Sequence, residues 1–307
     1  MTKVFIDGSA GTTGLIIYER LGKRDDLELI ILPDEIRKDA DARYEALKKS
    51  DIAFLCLPDS AAIEAADMAK DLSTVIIDTS TAHRTNDNWT YGFPEIKNLR
   101  EKIKNSKRIA NPGCHASGFI ALVAPLVENG VISPDLLLNC FSLTGYSGGG
   151  KKMIADYECE ENKEKLLAPR MYGLTQSHKH LPEMVKMCSI KSAPVFSPIV
   201  SSYYAGMEVV VPLAKEQIKG NTNTIKDIYK NYYTGNIVKY VDNADEAGFL
   251  SAGEFAMKDD MQISVFGNED RLTLVARYDN LGKGASGAAI QNMNIVLGID
   301  EAYGLNI

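Results

Sequence analysis

Lys3-Val4-Phe5-Ile6-Asp7-Gly8-Ser9-Ala10-Gly11-Thr12-Thr13-Gly14-Leu15-Ile16 reads as a short apolar strand, a glycine-rich turn and the opening of a helix. The strand occupies residues 3–6, and residues 13–21 have helical spacing, with Leu15, Ile16 and Leu21 on one face. Between them Gly8, Gly11 and Gly14 are spaced GxxGxxG, a variant of the dinucleotide fingerprint. Glycines let such a turn tighten and let backbone approach a pyrophosphate. The helix N-terminus then supplies N–H donors and the positive end of its dipole. Gly8, Ser9, Gly11, Thr12, Thr13 and Gly14 are therefore candidate cofactor contacts, the threonines through their hydroxyls. A ligand-free turn is the plain alternative, and the strand–helix context speaks against it.

Working outward, the alternation continues. Residues 27–32, 52–57 and 74–78 are apolar strands, separated by helical segments at 40–49 and 61–70. Continuous apolar strands alternating with helices predict a parallel sheet covered on both faces, a Rossmann-like α/β unit. After the second strand comes Pro33-Asp34-Glu35-Ile36-Arg37-Lys38. Arg37 and Lys38 suit a 2′-phosphate and favour NADP over NAD, because guanidinium forks match phosphate oxygens. Asp34 is the counter-indication, since an acid there can hold a ribose hydroxyl instead.

From residue 108 the texture changes. Residues 116–127 read as a helix whose last turn Pro125 should disturb. Segments 136–143 and 207–212 are strand candidates, and 263–266 with 271–278 form a strand pair about the turn at 267–270. Residues 285–297 return to helix. The expected division is a nucleotide domain of residues 1–113 and 285–307, and an α+β catalytic and oligomerisation domain of residues 114–284 with a largely antiparallel sheet.

The 307 residues suffice for two domains, and 45% of them are hydrophobic. A net charge of −7 excludes a general nucleic-acid surface. No apolar run is long enough to span a bilayer, and the N-terminus has no signal-peptide pattern, which implies a cytoplasmic location. Cys56, Cys114, Cys140, Cys159 and Cys188 are odd in number and lack a CxxC pair, so reduced thiols and no metal site are expected.

Cys114 is the exception among them. Asn111-Pro112-Gly113-Cys114 precedes an apolar helix, so its thiol stands at a helix N-terminus, where the dipole favours the thiolate, the natural attacker of an acyl carbon. The other cysteines of apolar or strand-like setting, Cys56, Cys140 and Cys188, read as buried. In His178-Lys179-His180-Leu181-Pro182-Glu183, an extended chain would put both rings on one face. Either is a candidate acid–base partner, with His180 favoured because Pro182 opens a helix beside it, and Glu183 is placed to orient a ring. His115 adjoins the thiol, but its side chain is expected to point elsewhere. Gly145-Tyr146-Ser147-Gly148-Gly149-Gly150-Lys151 comes after a strand, where Ser147 and Gly148 could offer N–H groups to an oxyanion or carboxylate; a flexible connection is the alternative.

These motifs together resemble the shorter type of N-acetyl-gamma-glutamyl-phosphate reductase over nearly the whole chain. The likeness also rests on Thr79-Ser80-Thr81-Ala82-His83-Arg84, on Tyr91-Gly92-Phe93-Pro94-Glu95, and on Asp279-Asn280-Leu281-Gly282-Lys283-Gly284-Ala285-Ser286-Gly287. The last is shared with aspartate-semialdehyde dehydrogenases. The resemblance implies NADPH-dependent reduction of an acyl phosphate, a small-molecule substrate, through a thioester on Cys114. It further implies Arg84 near the substrate phosphate, Lys283 and Gly284 near the cofactor, and a homo-oligomer, dimer or tetramer. Longer relatives carry a Pro-His pair where this chain has Ser197-Pro198-Ile199, so the catalytic ring here has to come from His178 or His180.

Overall fold

A computed structural model describes residues 1–307. The chain divides into two compact units, Met1–Pro112 with Ala285–Leu305, and Gly113–Gly284 with Asn306–Ile307. The first unit opens with β1 (Thr2–Asp7), α1 (Thr12–Leu21), β2 (Leu27–Ile30), α2 (Ala40–Lys49), β3 (Ile52–Leu55), α3 (Asp59–Met68) and β4 (Val75–Asp78). It continues through β5 (Thr90–Tyr91), α4 (Leu99–Lys104) and β6 (Arg108–Ala110). The six strands form one parallel sheet in the order β2-β1-β3-β4-β6-β5. Its centre is apolar on both faces: Ile52, Ala53, Phe54 and Leu55 are all buried. The order reverses beside β1, whose neighbours are β2 and β3, and ligands of such sheets bind beyond the carboxyl ends of strands at that switch. The glycine turn leaves the carboxyl end of β1 and so stands at this switch.

The second unit holds α5 (Cys114–Glu128), β7 (Asn139–Gly145), α6 (Gly150–Glu158), α7 (Lys163–Leu166), β8 (Arg170–Met171) and α8 (Leu181–Cys188). It is completed by β9 (Val195–Ser201), β10 (Met207–Ala214), α9 (Thr222–Tyr232), β11 (Val238–Tyr240), β12 (Met261–Gly267) and β13 (Arg271–Tyr278). Its mixed sheet runs β11-β12-β13-β10-β7-β9-β8. Pairing is antiparallel except between β11 and β12 and between β7 and β9. Met207, Val209, Val211 and Leu213 of β10 are buried on alternate positions, and α5 packs on β10 and β13.

Pro125 does not end α5. A proline there leaves the Ala121 carbonyl without its amide. The Tyr233 hydroxyl, just beyond α9, donates to that carbonyl at 2.6 Å instead. The chain returns to the first unit as α10 (Gly287–Leu297), which packs on α4 and β4. No helix is long and apolar enough to cross a membrane.

Candidate active site

In the first unit the glycines are required by contact. Gly8 has φ +89°, and a Cβ there would lie 2.3 Å from the Cys56 carbonyl oxygen. At Gly14 it would lie 2.4 Å from the Gly8 oxygen. The turn closes through the Gly11 amide on the Gly8 carbonyl at 3.0 Å. Gly11 then caps α1 without a side chain, so the helix's first amides meet no internal acceptor. Thr12 Oγ1 is buried and has no hydrogen-bond partner in the protein. Arg37 and Lys38 line the same cavity of about 260 Å³ as Gly8 and Ser9. Arg37 holds only a loose ion pair, 3.5 Å from Asp34. Two cations on one cavity with Gly8 and Ser9, followed in the chain by bare helix amides and an orphaned hydroxyl, fit a phosphorylated dinucleotide.

Beyond β4, the buried Asp78 carboxylate accepts the Ser80 amide at 2.9 Å and the Ser80 hydroxyl at 2.7 Å, and lies 2.6 Å from His83 Nδ1. His83 in turn stacks on Trp89 with centroids 4.0 Å apart. This turn directs Arg84 inward, where Nε donates to the Asn111 carbonyl at 2.9 Å and Nη2 to the Thr79 carbonyl at 3.0 Å. Arg84 thus fastens the strand end that leads to Pro112.

In the second unit Cys114 is the first residue of α5, half-buried behind the N-cap Gly113. Burial pushes the Cys56 thiol up to about 12 and raises those of Cys140 and Cys188 as well, so these three stay protonated. Cys159 is exposed. Glu183, buried on α8, accepts the Gly113 amide at 3.1 Å, so its carboxylate meets the start of the helix that carries Cys114.

His178 and His180 do come together, with ring centroids 4.7 Å apart. They do so through a turn and not an extended segment: His180 has φ −87° and ψ −12°, caps α8, and its amide donates to His178 Nδ1 at 3.2 Å. His115 belongs to the same cluster, contrary to the reading that turned it away. Its centroid is 5.6 Å from each of the other two rings. It lies 2.7 Å from Ser142 Oγ and 2.6 Å from Tyr172 Oη. Burial, aided by His178, lowers its pKa to about 3, so His115 is neutral and cannot be the ring that gains charge near neutral pH. Tyr172 is raised by burial and by the nearby Cys114, and remains a phenol.

Residues 33–106 match the NAD-binding domain of semialdehyde dehydrogenases, and residues 114–280 match the semialdehyde dehydrogenase dimerisation domain. N-acetyl-gamma-glutamyl-phosphate reductases of Brucella ovis and Brucella canis are each 45% identical over 306 residues, covering 96% of this chain and 99% of theirs. The chain belongs to the N-acetyl-gamma-glutamyl-phosphate reductase family. Aspartate semialdehyde dehydrogenase II of Vibrio cholerae, complexed with ASA, has the same fold at 16% identity, with a TM-score of 0.74 over 97% of this chain and 98% of that one. The aspartate semialdehyde dehydrogenase of Candida albicans, solved with NADP, superposes with a TM-score of 0.68 at 13% identity over 97% and 98%.

Within this member of the reductase family, the second glycine loop is more tied down than its composition suggests. The amides of Gly145, Tyr146 and Ser147 donate to the carbonyls of Gly206, Tyr203 and Tyr204 at 2.9, 3.0 and 3.0 Å. They are not available to an oxyanion. The Ser147 hydroxyl accepts from Asn280 at 2.9 Å, and a Cβ on Gly148 would lie 3.3 Å from the same Asn280 nitrogen. Gly284 stands against Cys114, since a Cβ there would be 3.0 Å from that of the cysteine, and Lys283 beside it is fully buried. Tyr172 and His115 are the site residues that motif reading missed. Tyr172 comes after a two-residue strand too short to leave a periodic signal.

Proposed function

We propose that this chain reduces N-acetyl-glutamyl 5-phosphate to N-acetyl-glutamate 5-semialdehyde, releasing phosphate, as a step of arginine biosynthesis. The observation that carries the reading is Cys114 at the head of α5, next in sequence to His115, whose ring lies 5.6 Å from those of His178 and His180, in a chain that matches these reductases almost end to end. The Cys114 thiolate attacks the acyl carbon, the bond to the phosphate oxygen breaks, and phosphate leaves with the electron pair, giving a thioester. NADPH, held by residues 8–14 with Arg37 and Lys38, supplies the hydride when bound. His180 gives its proton to the oxyanion left on the acyl carbon by hydride addition and takes it back as the carbon–sulfur bond breaks, which frees the aldehyde and restores the thiolate.

His178 positions substrate. Arg84, its fork fixed by two main-chain bonds, is the candidate for the substrate phosphate, with Ser147 and Gly148 lining the acyl side. Lys283 and Gly284 serve the nicotinamide end. We place the enzyme in the cytoplasm as a homo-oligomer, dimer or tetramer, assembled through the domain of residues 114–280, with neither nucleic acid nor membrane as a partner. Phosphate-dependent reduction of NADP by N-acetyl-glutamate semialdehyde, run beside aspartate semialdehyde, tests the reading. Turnover of the aspartyl substrate alone overturns it.

A further inference from the structure

Tyr278, the last residue of β13, is fully buried, and its hydroxyl stands inside the first turn of α5. It donates to the Cys114 carbonyl at 2.5 Å and accepts the Gly118 amide at 3.0 Å. In a regular helix the Gly118 amide bonds the Cys114 carbonyl, as the Ser117 amide bonds that of Gly113 at 2.9 Å. The tyrosine hydroxyl bridges the two ends of that rung, donating to one and accepting from the other. Gly118 makes room for it: a Cβ there would lie 2.7 Å from the hydroxyl and 2.6 Å from Val209 Cγ2. A side chain bonded into a helix's first turn fixes that turn's geometry. Here the turn carries the thiol.

The chain beyond Tyr278 touches Cys114 a second time. The Asp279 carboxylate accepts the Leu281 and Gly282 amides, each at 2.7 Å, and so folds the segment that brings Gly284 against the Cys114 β-carbon. One stretch of chain thus holds the nucleophile at its carbonyl and at its Cβ. We infer that Tyr278 is a positioning residue of the reaction: by bridging the Cys114 carbonyl and the Gly118 amide, it sets the direction of the Cys114 Cα–Cβ bond and hence where the thiolate stands against the first-turn amides. The inference rests on Cys114 being the nucleophile. The competing account is a buried tyrosine that merely satisfies two polar groups, whose loss would cost stability alone.

Tyr278→Phe keeps the ring and removes the bridging hydroxyl. Steady-state kinetics and the pH profile of iodoacetamide alkylation at Cys114 separate the two accounts. Misplacing a reacting group by about 1 Å costs on the order of 100-fold. The variant should therefore lose roughly 10–100-fold in kcat with little change in KM, and its Cys114 alkylation midpoint should move to higher pH, while exposed Cys159 alkylates as before. A lower melting temperature with unchanged kcat and unchanged alkylation profile overturns the proposal. Should Tyr278→Phe not fold, Gly284→Ala presses on the same residue from its β-carbon side. Slower turnover and slower Cys114 alkylation are then expected, and wild-type behaviour of a folded Gly284→Ala is equally fatal. Cys114→Ser run alongside keeps the two levels apart. Turnover surviving in it sinks the nucleophile reading itself, whereas its loss beside a wild-type Tyr278→Phe sinks only the positioning role.

Discussion

The Glu183 carboxylate accepts the Gly113 amide at 3.1 Å, which sets a buried acid directly before the residue that begins α5 with a thiol. Glu183→Gln preserves an acceptor and removes the charge. The thiolate then loses a like-charged neighbour, so the Cys114 alkylation profile should shift to lower pH. Glu183→Ala strands a buried amide and should cost about 1–3 kcal/mol in chemical denaturation. An alkylation profile in Glu183→Gln that moves the opposite way would contradict this view of the carboxylate.

Cys114→Ser should abolish turnover and leave NADP binding nearly intact, because a hydroxyl ionises far less readily and leaves poorly as an alkoxide. Mass spectrometry after brief iodoacetamide treatment should find Cys114 labelled first. The exposed Cys159 is its main competitor, since the half-buried Cys56 and the buried Cys140 and Cys188 are held protonated. Near-normal activity in the serine variant rules out covalent catalysis.

Arg37→Ala should weaken NADPH more than NADH. Its side chain is 44% exposed, so the loss should sit at the low end for a charge-assisted contact, roughly 1–2 kcal/mol. Isothermal titration with both cofactors measures the difference, and equal losses would take Arg37 out of the 2′-phosphate site.

For the histidine pair, His180→Asn should lower kcat by about 10²–10⁴-fold with a smaller change in KM, the usual worth of acid–base assistance. His178→Asn should chiefly raise KM. Single-turnover kinetics on both variants reveals which one slows the chemical step, and a slow step in His178→Asn alone reverses the roles.

His115 gives a stability prediction with a definite sign. Its folded pKa is about 3 against an ordinary 6.5, so the unfolded chain binds the extra proton first on acidification. The contribution is intact above pH 6.5 and is lost as pH falls toward 3. Melting temperature should drop across that window, and His115→Gln should drop less. Parallel curves for the two proteins would show that His115 is not the group responsible.

The first unit was largely legible because its signals are local. The GxxGxxG turn lies between a strand and a helix that each announce themselves by apolar spacing, and α2 falls on residues 40–49 as its pattern indicates. The second unit hides more. Pro198 argues against a strand at 195–201, yet β9 pairs in parallel with β7 along its length, and the Pro198 carbonyl accepts the Tyr172 amide at 3.0 Å. His115 joins the histidine cluster because Ser142 and Tyr172, 27 and 57 residues away in sequence, hold its two nitrogens. Partnerships of that range leave no mark on spacing. The same is true of Arg84, whose motif suggests a ligand contact but does not disclose the carbonyls it braces.

Three tyrosine hydroxyls brace the main chain of α5, Tyr278 of β13 at its first turn and Tyr229 and Tyr233 from and just beyond α9 at Leu122 and Ala121. With Gly118 and Pro125 in its sequence, that segment is a poor helix by itself, and short isolated helices are marginal in water in any case. If Cys114 is the nucleophile proposed above, the dipole that favours its thiolate exists only once those distant tyrosines have arrived. A nascent or damaged chain then carries an ordinary cysteine, and chemical aggressiveness is a property acquired at the end of folding.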